Sequence, residues 1–226
     1  MKALIVCTNH ATYPTKANKT GLWLSELTHF YDVMSKKRVI MDIISPQGGG
    51  IPIDERSLDL KDDINRKYYT DDTFKEKLAN SLKASEIEPE EYRLIYFAGG
   101  HGCLWDFIDN SELQHITQSI YERGGMVGAI GHGVAGLLNV KLSDGTLLIH
   151  DKYLTAFSNI EEKLASFVSE VPFYLEDRLR EKGAHFTKSL IPFIQYIEVD
   201  ERLVTGQNPN SAGKVASKIV EEMFEK

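Results

Sequence analysis

Met126-Val-Gly-Ala-Ile130, followed by Gly131-His-Gly-Val-Ala-Gly-Leu-Leu138, is the stretch that decides how the rest of the chain is read. A short apolar run meets Gly131-His132-Gly133 and then a helical pattern from Val134, so a buried strand turns abruptly into a helix. That is the layout of a nucleophile elbow. In such a turn the tip residue holds a strained backbone, its side chain is lifted over the strand ends, and a helix N-terminus lies behind it. The tip here is Gly131, which tolerates the torsions but carries no oxygen or sulfur with which to attack. The stretch is a catalytic frame without a nucleophile.

Outward from the elbow, strands alternate with helices. Ala3 to Thr8 is apolar and β-branched without alternation, as in a parallel strand buried on both faces. Residues 20–36 place Leu22, Trp23, Leu27 and Phe30 at helical spacing behind Thr20 as N-cap. Glu26 shares their apolar face, where a carboxylate needs a partner or a proton. Val39 to Ser45 predicts a second strand, Ile51 to Asp72 an acidic, ordered surface excursion, Asp72 to Lys83 a helix, and Leu94 to Ala98 a third strand. Gly99-Gly100-His101-Gly102 then falls at a strand carboxyl end, where consecutive N–H groups can crowd toward a ligand and build an oxyanion site. Further helices are predicted over Asp109 to Arg123, Glu161 to Ser169, Pro172 to Lys182 and Ala212 to Phe224, and a hairpin around Asp144-Gly145. Ile194 to Val199 and Leu203 to Thr205 read as late strands about the Asp200-Glu201 turn. This alternation implies an α/β fold, a doubly wound parallel sheet with helices on both faces, in a single domain over residues 1–226.

A formal charge of -7 and a pI near 5.5 weigh against nucleic acid or an anionic membrane surface as partner, since either wants a basic face. The chain has two cysteines, Cys7 and Cys103, and its first apolar run is too short for a signal segment or a membrane span. A reducing cytoplasm is the expected location. There is no Cys/His cluster at metal-ligand spacing and no glycine-rich phosphate loop, so neither a metal nor another cofactor is expected.

The elbow resembles the Cys-His-Gly-Pro-Ala elbow of the ThiJ/PfpI superfamily, which has class I glutamine-amidotransferase-like folds. Thr20-Gly21 with Glu26, Gly99-Gly100-His101-Gly102, Lys141-Leu-Ser-Asp-Gly145, Phe157 with Glu162, and Thr205-Gly-Gln-Asn-Pro-Asn-Ser-Ala212 follow in the order of the branch holding heat-shock chaperones and glyoxalase III proteins. The resemblance implies a flavodoxin-like strand order, a cofactor-free cytoplasmic homodimer, and action on 2-oxoaldehydes such as methylglyoxal, or on aldehyde adducts, to give hydroxy acids. It equally implies a holdase role toward unfolded proteins, which needs no covalent chemistry. Two positions depart from the pattern: Gly131 stands where the family has cysteine, and Val134 where it has proline. Removing a thiol alone would leave position 134 untouched, so the pair points toward natural divergence.

Carried over residue by residue, the resemblance gives Gly131 the nucleophile position, His132 the base, Glu162 the acid that orients it, and Glu26 the protonated glutamate beside the thiol. Gly99, Gly100, His101, Gly133 and Cys103 would form the substrate and oxyanion pocket. Plainer readings stand beside these. His132 alone would be an ordinary turn histidine, Glu162 a solvated helix residue easily exchanged with Glu161, and His101 a cap on its strand. Cys103 is either an inert core thiol or, if it faces His132, a displaced nucleophile. Cys7 belongs to the core.

Overall fold

Strands that are apolar at every position must be covered on both faces, and the central ones are. In a computed structural model that describes residues 1–224, β1 spans Lys2–Val6, β2 Ile40–Ser45, β3 Leu82–Lys83, β4 Leu94–Phe97 and β5 Met126–Ile130. Then come β6 (Tyr153–Leu154), β7 (His185–Phe186), β8 (Ile197–Asp200) and β9 (Leu203–Gly206). The helices are α1 (Leu24–Lys36), α2 (Asp63–Tyr69), α3 (Asp72–Ala79), α4 (Cys103–Asp106), α5 (Ser111–Glu122), α6 (Asn159–Ala165), α7 (Leu175–Glu181) and α8 (Ala212–Phe224).

Seven strands form one sheet in the order β3-β2-β1-β4-β5-β9-β8, and β6 pairs with β7 apart from it. Without the two-residue edge strand β3, the parallel part has the flavodoxin-like order expected. The sheet is mixed rather than wholly parallel, because β8 runs antiparallel to β9 with Asp200 opposite Leu203. Two residues join them, Glu201 with φ +53, and so short a link can only reverse the chain.

Each face of the sheet carries its own core. Leu27, Phe30 and Met34 of α1 and Val215, Ile219 and Val220 of α8 pack with Ile5, Tyr96 and Ile130 on one side. On the other, Leu113, Ile116 and Ile120 of α5 and the turn after β5 pack with Val6, Phe97 and Val127. Burying a side chain of this kind contributes about 1.5–3 kcal/mol.

Several local expectations are corrected. The first helix starts at Leu24, not Thr20: the N–H of Leu24 is satisfied by Ser57 Oγ at 3.0 Å and that of Trp23 by the Gly99 carbonyl at 2.9 Å, partners too distant in sequence to read as a cap. The excursion after Ile51 holds a 3-10 turn, Glu55–Ser57, and α2, capped by Asp62. The helix predicted to Lys83 stops at Ala79, and β3 follows, so Leu94 begins the fourth strand. Around Asp144-Gly145 there is a single antiparallel bridge, Lys141 with Leu147, instead of a hairpin.

Candidate functional site

The carboxyl ends of β4 and β5 lie side by side in the middle of the sheet, and both chains break there at glycine. After β5 the backbone passes directly into a 3-10 stretch, Gly131–Leu137, rather than the helix expected from Val134. Gly131 has φ +52, the left-handed region that a side chain disfavours. A β-carbon built on it would lie 2.7 Å from Glu26 Oε1, so the glutamate carboxyl fills the space that a side chain would take.

Glu26 is positioned by α1 and by β4. Tyr96, stacked on Phe30 at 3.6 Å between ring centres, donates its hydroxyl to the Glu26 carbonyl at 2.7 Å. The Gly99 N–H donates to Glu26 Oε2 at 2.8 Å. Burial pushes the acid up to about 8, against that hydrogen bond, and the nearby Glu161 adds to the rise. With Oε2 already an acceptor, the proton is best carried on Oε1, the oxygen nearest Gly131. Gly99 thus spends its N–H on Glu26 and does not serve as the free oxyanion donor expected of it.

Three elements bring a second array together. His132 follows Gly131, His101 follows β4, and Glu162 sits in the first turn of α6, all buried. His132 Nε2 lies 2.7 Å from Glu162 Oε2 and His101 Nε2 2.9 Å from Oε1, so one carboxylate is shared by two imidazoles. Burial alone would raise Glu162, but the two histidines overturn that and hold it well below the usual carboxylate range. For His101, burial and then the neighbouring His132 lower its pKa to about 4, although Glu162 opposes this, so the ring is neutral. The three ligand atoms, one from each residue, lie within 4.8 Å of one another, close enough to hold a metal ion. Linear spacing could not show this, because the donors come from separate elements.

Glu162, not Glu161, makes these contacts. Glu161 closes the N-terminus of α6 with Ser158 in a reciprocal capping box and accepts from Asn208 Nδ2 at 2.8 Å. The Ser158-x-x-Glu161 spacing was the sequence signal that separates them.

Sequence reasoning missed Tyr13, Asp54 and Arg56. Asp54 pairs with Arg56 through Nε at 2.9 Å and Nη2 at 2.6 Å, and Arg56 Nη2 donates to Tyr13 Oη at 2.7 Å. Tyr13 Oη in turn lies 2.7 Å from His101 Nδ1. Tyr13 lies in the polar stretch Asn9 to Lys19, whose place at the carboxyl end of the first strand is where open α/β sheets put ligands, while Asp54 and Arg56 belong to the expected surface excursion, which the fold turns inward. Trp23, Arg56, Phe157, Phe193 and Pro209 wall a cavity of about 120 Å³ over Glu26, His101, His132 and Gly100. Cys103 is not among its lining. The thiol is fully buried in the core beneath α4, donates to the Ala98 carbonyl at 3.4 Å, and is pushed far up by burial, so the pocket and displaced-nucleophile readings are both corrected. Gly133 is likewise pressed against the β4 backbone: a β-carbon there would lie 2.4 Å from the Phe97 carbonyl.

A flavodoxin-like α/β sheet with a left-handed turn at a central strand end, backed by a histidine and a buried carboxylate, defines a class of protein built round an elbow pocket. The DJ-1/PfpI family model matches residues 20–222, and the chain belongs to that family. A glutathione-independent glyoxalase of Schizosaccharomyces pombe, hsp3102, is 31% identical over 231 residues, covering 96% of this chain and 95% of its own length. Among solved structures, Francisella tularensis Rapid Encystment Protein 24 KDa is 42% identical with a TM-score of 0.95, covering 99% of both chains. Glyoxalase III from Candida albicans is 27% identical with a TM-score of 0.91, covering 100% of this chain and 98% of that one.

Proposed function

We propose that this chain is a glyoxalase III-type scaffold whose pocket takes small 2-oxoaldehydes or their adducts without thiol chemistry. One observation carries the reading: at the elbow tip stands Gly131, and the Glu26 carboxyl occupies the space where a nucleophilic side chain would start. Glyoxalase chemistry without glutathione begins, in the resembling family, by adding a cysteine sulfur to the aldehyde carbon. Here His132 and Glu162 keep their base-and-orienter geometry with no thiol to activate. What remains is a donor, protonated Glu26, facing a cavity lined by His101 and His132 and sized for a molecule of a few heavy atoms.

The test is D-lactate formation from methylglyoxal without glutathione, in buffer containing a chelator, beside hsp3102 as reference. The expected rate lies several orders of magnitude below the reference, the usual cost of losing a covalent nucleophile. Comparable turnover would overturn the reading, and Cys103→Ala would not rescue the objection, since that thiol is in the core.

A holdase role is the second reading, favoured by apolar side chains left in solvent beside the pocket. Leu190 is 99% exposed, Ile191 59% and Leu164 60%, in a loop and helix joined by the Phe193 N–H to Glu161 hydrogen bond. Suppression of aggregation that falls on Leu190→Ser and Ile191→Ser would support it. We place the protein in the cytoplasm as a homodimer on the family resemblance. Two free, buried thiols fit a reducing compartment, and among the described residues no helix is long and apolar enough to cross a membrane.

A further inference from the structure

We infer that His101, His132 and Glu162 form a binding site for a divalent transition-metal ion, zinc foremost, with its open coordination positions facing the pocket. The inference stands on geometry and does not depend on whether the pocket takes aldehydes.

Two imidazoles and one carboxylate are the donor set of three-ligand zinc centres, in which a fourth position stays open. Metal–ligand bonds of about 2.0–2.2 Å put neighbouring donor atoms roughly 3–3.5 Å apart. Both histidine Nε2 atoms already lie within 2.9 Å of a Glu162 oxygen, and no pair of the three ligand atoms is more than 4.8 Å apart. An ion between them therefore needs side-chain adjustments of about an ångström, with no movement of strands.

Charge and the outer contacts also fit. Glu162 brings one negative charge to the ion, and both histidines can ligate as neutral rings if the proton sits on Nδ1. For His101 that nitrogen already faces an acceptor, Tyr13 Oη at 2.7 Å, which would fix the ring as outer partners fix metal-bound histidines. Arg56 Nη2, a cation, lies 3.1 Å from the same nitrogen. Asp54 neutralises it through two hydrogen bonds, and Tyr13 Oη gives its N–H another place to go. His101 and His132 both line the cavity, so an ion held there would be open to a small ligand or water.

The experiment uses the full chain, stripped with chelator and dialysed. Zinc chloride is titrated calorimetrically, and cobalt(II) is titrated with visible absorbance as the readout. The expected result is one equivalent of either ion, with the d–d bands of a low-coordinate cobalt centre. His101→Gln and His132→Gln should abolish the bands, and Tyr13→Phe should weaken binding about 10-fold. His150→Gln, in the exposed His150–Asp151 pair, should change nothing. Native protein without cobalt bands overturns the inference outright, even if a pocket variant fails to fold. So does binding that survives both His132→Gln and Tyr13→Phe, which would put the ion on the surface. Neither result bears on the glyoxalase assay, which is run in chelator.

Discussion

Burial holds Glu26 protonated up to about pH 8 in the folded chain, whereas a glutamate in the open chain loses its proton near 4.5. The native state therefore binds this proton more tightly than the unfolded state does. Its stabilising contribution is complete below the unfolded value and is lost as pH rises through the folded one. Glu26→Gln keeps the shape and removes the charge. Relative to the native protein it should be close to neutral at the acidic end of that window and increasingly stabilising toward the alkaline end. Urea unfolding of both proteins at the two ends checks this, and a difference that does not move with pH contradicts the buried acid. The need for a proton or a partner was legible from Glu26's place among Leu22, Trp23, Leu27 and Phe30. That its partner is a backbone N–H of Gly99 was not, because no side-chain pattern marks a main-chain donor.

At the scale of elements, α6 carries Glu162 into the pocket, and its first turn is tied down by a few polar atoms. Ser158 Oγ takes the Glu161 N–H, Glu161 returns to the Ser158 N–H at 2.9 Å, and Glu161 also accepts from the Phe193 N–H at 2.8 Å. Ser158→Ala should lower unfolding stability by about 0.5–2 kcal/mol, as loss of an N-cap does. Denaturant midpoints would show it, and an unchanged midpoint would mean that the turn is held by packing alone. Sequence periodicity starts this helix two residues late because its apolar pattern is weak, and the mark of its true start is the Ser158 cap, a polar signal that periodicity does not carry. The start of α1 was predicted four residues early for the opposite reason: Thr20 looks like a cap, but its hydroxyl is directed to Asp54, 3.4 Å away. Short polar segments such as Asp54 to Ser57 escape periodicity altogether, and one of them supplies Arg56.

For the whole molecule, the sheet was the readable part. Ala3 to Thr8, Leu94 to Ala98 and Met126 to Ile130 lack alternation because both of their faces are covered, and that alone implies a parallel sheet between two helical layers. The edge strands are too short for a pattern, and β8 took its direction from a turn. The two layers share the sheet, so they should open together. Cys7 lies in one core and Cys103 in the other, both without solvent exposure. An aromatic disulfide reagent should find neither thiol in the native protein and both after unfolding in guanidinium. In mild denaturant the two should react with one common rate, set by global unfolding. A fast single thiol would show that one layer opens by itself.

The carboxyl lodged against Gly131 also bears on history. Two of the four glycine codons differ from a cysteine codon by a single base, and from those a thiol at this turn is one copying error away. The residue that such an error produced would arrive with its β-carbon 2.7 Å from a glutamate oxygen. The contact is with the far end of a flexible side chain, so a cysteine would ask a shift of the Glu26 carboxyl and leave the surrounding strands where they are. The turn thus keeps room at its tip for a nucleophile that the sequence does not supply.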